Sequence, residues 1–313
     1  MKLHQWLLLL FVASLWATSF TAMEIGLTEV NPSSVIFWRM WPGALLTLAV
    51  VLGMGYRFPR HPKFWFLAAI TGAVSHSLPF VLIASGQQYI EAGLAAIFNS
   101  ALPISTTILA HFFVRNETLN RFKTIGLILG FIGIAIIFGK DSLQEFDLRS
   151  FGQVLVLLAT ICYAVGLIFG KALLATAKST ALPDGETVHP FVICAACMVC
   201  GALWMFPMVY LLDGELQVPQ TLGVWGPLMF MSIFGTGVAF LVYYHLLSQV
   251  ETTKVAMVTF IIPPIAILVG WVMLGEVLSP NMYLGMLIIF LGLMFLDGRI
   301  KPLLRLLKIN IAD

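Results

Sequence analysis

Several groups of residues in this chain have the types and spacing to do chemistry. Cys194, Cys197 and Cys200 form a C-x-x-C-x-x-C run, the spacing of iron–sulfur ligation. His76 stands in "VSHSLPF" between Ser75 and Ser77 and shortly before Pro79, where an imidazole can bind an anionic group or take up a proton near neutral pH. Glu24 and Arg39 are opposite charges inside otherwise apolar stretches. Asn116, Glu117 and Thr118 spell a glycosylation acceptor.

What surrounds these residues decides among the chemistries. Of 313 residues, 60% are hydrophobic and 10% charged, and the mean hydropathy is +0.97. A soluble domain carries about 25% charged residues, so the chain falls in the membrane class. Windows long enough to cross a bilayer run roughly over 6–26, 33–54, 64–86, 93–113, 123–139, 151–174, 190–212, 225–247, 254–274 and 280–297. The first continues through Trp16 and Phe20 to Ile25, longer than a signal-peptide core, and reads as a helix. The three-cysteine run falls inside the seventh window, where thiols are small packing residues, so no metal site is expected. No nucleotide loop, zinc-protease motif or nucleophile elbow occurs, so neither catalytic residues nor a cofactor nor a nucleic-acid partner is expected.

Basic residues orient the ten windows. With the amino terminus in the cytoplasm, the cytoplasmic segments hold Lys2, Arg57, Arg60, Lys63, Arg115, Arg121, Lys123, Lys171, Lys178, Lys254, Arg299, Lys301, Arg305 and Lys308, while the outer loops hold only Lys140 and Arg149. Fourteen against two places both termini inside, so the acceptor at Asn116 faces the cytoplasm and is a chance match.

The chain also repeats itself. "YIEAGLAAIFNSALPI" from Tyr89 overlays "QVETTKVAMVTFIIPP" from Gln249, pairing Glu91 with Glu251 and Pro103 with Pro263. "NETLNRFKTIGLILGFIG" overlays "GEVLSPNMYLGMLIIFLG", pairing Glu117 with Glu276, Gly126 with Gly285 and Gly133 with Gly292. Weaker matches pair Trp16 with Tyr163, Asn31 and Pro32 with His189 and Pro190, and Phe80 with Phe240. The expected fold is all-α and integral to the membrane, ten helices as two inverted five-helix repeats, over 1–140 and 150–298, with a basic cytoplasmic tail over 299–313 lying on anionic lipid. Gly126 and Gly130, with Gly285 and Gly292, are expected to pack helices within one bundle, in a monomer or weak homodimer.

Inverted repeats are common in secondary transporters, whose halves rock about a central site. The tryptophan of "LWATSF", the arginine of "FWRMWPGALL", the matched prolines and the glutamates ahead of glycine-rich helices resemble the EamA family of the drug/metabolite transporter superfamily. The second copy departs from the pattern, with Tyr163 for Trp16 and no arginine in segment seven. The resemblance implies a multi-pass protein of a bacterial inner (cell) membrane that exports amino acids or related metabolites. Toxic compounds and nucleotide-like or phosphorylated metabolites are the alternative cargoes, and a non-transport scaffold or enzyme is the alternative class.

The substrate site is expected between helices three, four, eight and nine, completed by one and six. Trp16, Phe80, Tyr163, Phe240, Tyr243 and Tyr244 are the candidate stacking surfaces, and Ser75, His76, Asn99 and Thr236 the candidate polar contacts. Pro79, Pro103, Gly235, Gly237, Pro263 and Pro264 are candidate hinges. Glu24 and Arg39, counted as equally deep, are expected to pair as an outer gate, with protons as the candidate coupling ion. Glu117 and Glu276 are expected to clasp the turns that follow helices four and nine.

Overall fold

A computed structural model describes residues 2–113, 120–138, 147–180, 187–250, 255, 258–296, 298 and 300. The described residues form helices and no strands: α1 (Leu3–Gly26), α2 (Pro32–Gly53), α3 (Pro62–Gly86), α4 (Ala92–Phe113), α5 (Arg121–Phe138), α6 (Leu148–Ser179), α7 (Pro190–Leu212), α8 (Leu222–Leu246), α9 (Val258–Leu274) and α10 (Pro280–Leu296). Seven of them are long and apolar enough to span a membrane, and α5, α9 and α10 are shorter and apolar. The asparagine acceptor at 116, Glu117 and residues 301–313 of the basic tail lie outside the described residues.

Prolines at the first helical turns of α2, α3, α7 and α10 start those helices where a missing N–H costs nothing. Gly55 and Gly214, with φ of 75° and 81°, end α2 and α7 in the left-handed region at matched positions of the two halves. Trp65 Nε1 donates to the Pro59 carbonyl at 2.9 Å, and its counterpart Trp225 donates to Pro219 at 2.9 Å. Equivalent sequence therefore builds equivalent helix entries.

The packing repeats as well. α1 lies on α9 and α8, as α6 lies on α4 and α3; α2 lies on α8 as α7 lies on α3; and α2·α7 and α5·α10 close the pseudo-symmetric pairs. Glycines allow the closest approaches: a Cβ on Gly126 would sit 2.6 Å from the Gly292 carbonyl, and one on Gly133 2.7 Å from that of Gly285. The glycine faces of α5 and α10 therefore pack on each other, while Gly130 is filled by Ile104 of α4.

Two π-helical stretches interrupt α3 and α8 at matched places, Ala73–Ser77 and Met231–Val238. Such turns widen the backbone ring by one residue and are frequent at functional sites. Here they hold Ser75, His76, Gly235, Thr236 and Gly237, and Pro79 follows the first in the next helical turn. α4 breaks at Ser100 and Ala101, one residue before the helix resumes at Leu102 ahead of Pro103. α9 runs unbroken through Pro263 and Pro264.

Candidate functional site

The two π-helical stretches face a common centre. Phe80 and Phe240, equivalent in the repeat, both lie beside His76, with ring centroids 6.2 and 4.8 Å from the imidazole. Trp16 packs on Phe240 and on Tyr243, each at 5.2 Å, and Tyr163 packs on Phe80 at 6.4 Å. Into this aromatic ring α2 sends Arg39, whose guanidinium carbon lies 3.7 Å from the centre of the Phe80 face. Arg39 Nε donates to Thr236 Oγ1 at 3.2 Å. The structure thus brings Trp16, His76, Phe80, Tyr163, Thr236, Phe240 and Tyr243 together around an arginine.

Small residues let the ring close. Gly166 of α6 leaves room for the Ser75 side chain, and at the matched contact Gly235 leaves room for Ser19 of α1. Ser75 therefore packs on α6. Tyr244 turns away from the ring: its hydroxyl meets the Cys197 thiol of α7. Cys194 and Cys197 are fully buried in α7, consistent with thiols used for packing. Asn99 ends the first part of α4, with its buried Oδ1 unpartnered among the described residues.

The expected Glu24–Arg39 pair is not formed. Glu24 lies two residues before α1 ends at Gly26, whereas Arg39 lies seven residues into α2 from Pro32. At about 1.5 Å per residue these depths are roughly 3 and 10 Å, so the two charges are on different levels. Arg39 joins the aromatic ring, and Glu24 Oε2 accepts the Ala92 N–H at 2.8 Å, at the start of α4.

Glu276 shares that amide. Its Oε1 accepts from Ala92 N–H at 2.8 Å and its Oε2 from Gly93 N–H at 3.0 Å. The residue expected to clasp its own turn therefore caps a helix of the other half, as a carboxylate at a helix N-terminus should. Gly93 makes room for it, since a Cβ there would lie 3.2 Å from Oε2. Nearby, Glu91 is bridged by Arg149 at 3.1 Å, and Gln87 Nε2 donates to the Phe20 carbonyl at 3.0 Å.

A second set of bonds joins the halves on the same face. Gln217 Oε1 accepts Asn31 N–H at 2.8 Å, the Gln217 carbonyl accepts Trp38 Nε1–H at 2.9 Å, and Glu29 accepts from Gln220 N–H at 2.7 Å and from the Thr221 hydroxyl. Asp213 accepts Ser34 N–H at 3.2 Å, and its partial burial still holds its carboxyl above the usual range. None of these loop contacts was legible in the repeat, because they join unlike segments.

Among the described residues, two pseudo-symmetric sets of five apolar helices interleave around a buried polar centre, a polytopic carrier fold. The model of the EamA-like transporter family matches residues 4–139 and 150–296. The chain belongs to that family and is a membrane transporter of small molecules, not an enzyme. It is 24% identical over 285 residues to the uncharacterized transporter YoaV of Bacillus subtilis (strain 168), covering 90% of this chain and 92% of that one. It is also 24% identical over 303 residues to a probable terminal-alkyne amino-acid exporter of Streptantibioticus cattleyicolor, covering 96% and 95%. A crystal structure of another protein superposes with a TM-score of 0.67 over 97% of this chain and 99% of its own, at 15% identity, a likeness of fold.

Proposed function

We propose that this transporter is a secondary carrier that exports amino acids or related small metabolites by alternating access to the ring around Arg39 and His76. The observation that carries this reading is the convergence of two repeat-equivalent π-helical stretches on one buried polar centre. Each half supplies one movable wall to a shared site, as rocking-bundle transport requires. The exporter among the relatives supports amino-acid-like cargo. The asymmetry of basic residues supports cytoplasmic termini.

Counterflow in proteoliposomes tests it. Preloading with individual amino acids should accelerate uptake of the same labelled amino acid for a subset of the panel, and His76→Ala should reduce that exchange at least tenfold. A flat response across amino acids, drugs and phosphorylated metabolites would remove the carrier reading.

Protons are the coupling ion in this reading, and Glu24 beside Glu276 is the candidate proton-bearing pair, since both carboxyls address one amide. Glu24→Gln should flatten the pH dependence of gradient-driven export while sparing exchange. An unchanged pH profile would exclude this pair.

A further inference from the structure

The geometry points to Arg39 as the anchor for a single carboxylate on the transported molecule, read without a matching charge for its amine. This assignment rests on the carrier reading above and adds which chemical group the site reads.

Arg39 is 4% exposed, and among the described residues no carboxylate lies within ion-pair distance of it. Glu24 is engaged elsewhere. A guanidinium has five N–H donors, and the contact to Thr236 uses one, at Nε. The guanidinium carbon lies over the Phe80 ring, and with Nε committed to Thr236 both terminal nitrogens remain for a partner. A carboxylate is the group that fits such a fork with two parallel bonds.

Two further polar side chains in the ring are also uncommitted. His76 is 2% exposed, and neither of its ring nitrogens has a partner among the described residues. Trp16 Nε1 is buried and unpartnered likewise. Unused donors around a buried cation are costly without an anion to satisfy them.

The charge balance narrows the class. One guanidinium neutralises one negative charge, so a monocarboxylate fits the ring better than a dianionic phosphate. None of the described side chains around Arg39 is acidic, so an ammonium group on the substrate has no ionic partner there. The Trp16 and Phe240 faces take the apolar body of the ligand.

The test uses the full-length protein with three probes of similar shape: phenylalanine, 3-phenylpropionate and phenylalaninamide. Binding is read by intrinsic tryptophan fluorescence and thermal shift. The two carboxylates should bind within a few-fold of each other, and the amide at least tenfold more weakly. Arg39→Gln should abolish the difference between 3-phenylpropionate and the amide, and Arg39→Lys should restore it in part. Equal binding of all three probes to the unmodified protein, or no response to either carboxylate, overturns the assignment whether or not any variant folds. Counterflow separates the two claims. Carboxylate binding without exchange keeps the anchor and sinks the carrier reading, whereas full exchange in Arg39→Gln sinks the anchor and leaves the carrier.

Discussion

The two crossings that hold the π-helical stretches, α8 on α2 and α3 on α7, are built from the same parts in exchanged positions. On α2 the Ser232 hydroxyl donates to the Arg39 carbonyl at 2.6 Å and accepts Gly43 N–H at 2.9 Å, the two ends of one helical turn. The matched residue of α3 is Gly72, and a Cβ there would sit 2.6 Å from the Cys197 carbonyl and 2.7 Å from Gly201 N, the equivalent turn of α7. Five residues on, the exchange reverses: the Ser77 hydroxyl donates to the Gly201 carbonyl at 2.6 Å, and its counterpart is Gly237, close to the Gly43 carbonyl. Each crossing thus uses one hydroxyl and one glycine. The scaffold is symmetric in effect, and the difference in basic side chains lies at two pairs, Arg39 against Cys197 and His76 against Thr236. One half carries the cation and the imidazole, and the other a thiol and a hydroxyl.

The glycine side of this exchange should be the easiest to break. Gly72→Val pushes side-chain atoms into the α7 backbone, which cannot move without parting the crossing. We expect a loss of about 3 kcal/mol or failure to accumulate folded protein, read as the thermal midpoint in detergent. Gly72→Ser isolates the spacing of the two crossings, because the serine tolerated at 232 has no room at 72. It should cost more than Ser232→Gly, and the reverse order would show that the two crossings are spaced alike.

The hydroxyl side should cost less. Ser232→Ala removes the group that bridges a carbonyl and an N–H at the level of Arg39, and we expect about 1–2 kcal/mol. Ser77→Ala removes a single strong bond and should cost about 0.6 kcal/mol. Thr236→Val keeps the packing and removes the acceptor of Arg39 Nε. It leaves a buried charged donor unpaired and should change carboxylate binding severalfold, read by titration.

Hydropathy made the ten helices legible, and the paired prolines and glutamates made the duplication so. Both are signals carried by single residues. The π-helical stretches were not legible, because no residue type encodes an extra residue in a helical turn; only the polar "VSHS" and the glycines of "FGTG" mark the places. Depth was misread for Glu24 and Arg39 because window edges at roughly 26 and 33 do not tell which residues are already outside the helix. The direction of Tyr244 could not be separated from that of Tyr243, since neighbours on a helix point about 100° apart and both lie in an apolar run. The exchange of Ser232 for Gly72 was available to an overlay of "TGAVSHS" on "MSIFGTG", but a serine facing a glycine becomes informative only once the crossing helix is known.

The smallest effect belongs to the helix starts of the two halves. α1 begins after Lys2, whose own N–H is capped by Gln5 Oε1 at 2.9 Å, while α6 begins after Asp147, which accepts Ser150 N–H at 2.8 Å and its hydroxyl at 2.7 Å. A lysine is the wrong charge for a helix N-terminus and an aspartate the right one. Of the two starts, only that of α6 therefore carries a side-chain charge that complements the helix dipole. The Ser150 bonds hold the Asp147 carboxyl below its usual value, so its contribution is complete above the unfolded value near 3.8 and fades as pH falls through the lowered folded value. The thermal midpoint of the protein minus that of Asp147→Asn should therefore be constant from pH 5 to 8 and shrink below pH 4. A difference that grew on acidification would mean that the cap does not stabilise the charged form, and that the aspartate gives α6 no advantage over the lysine start of α1.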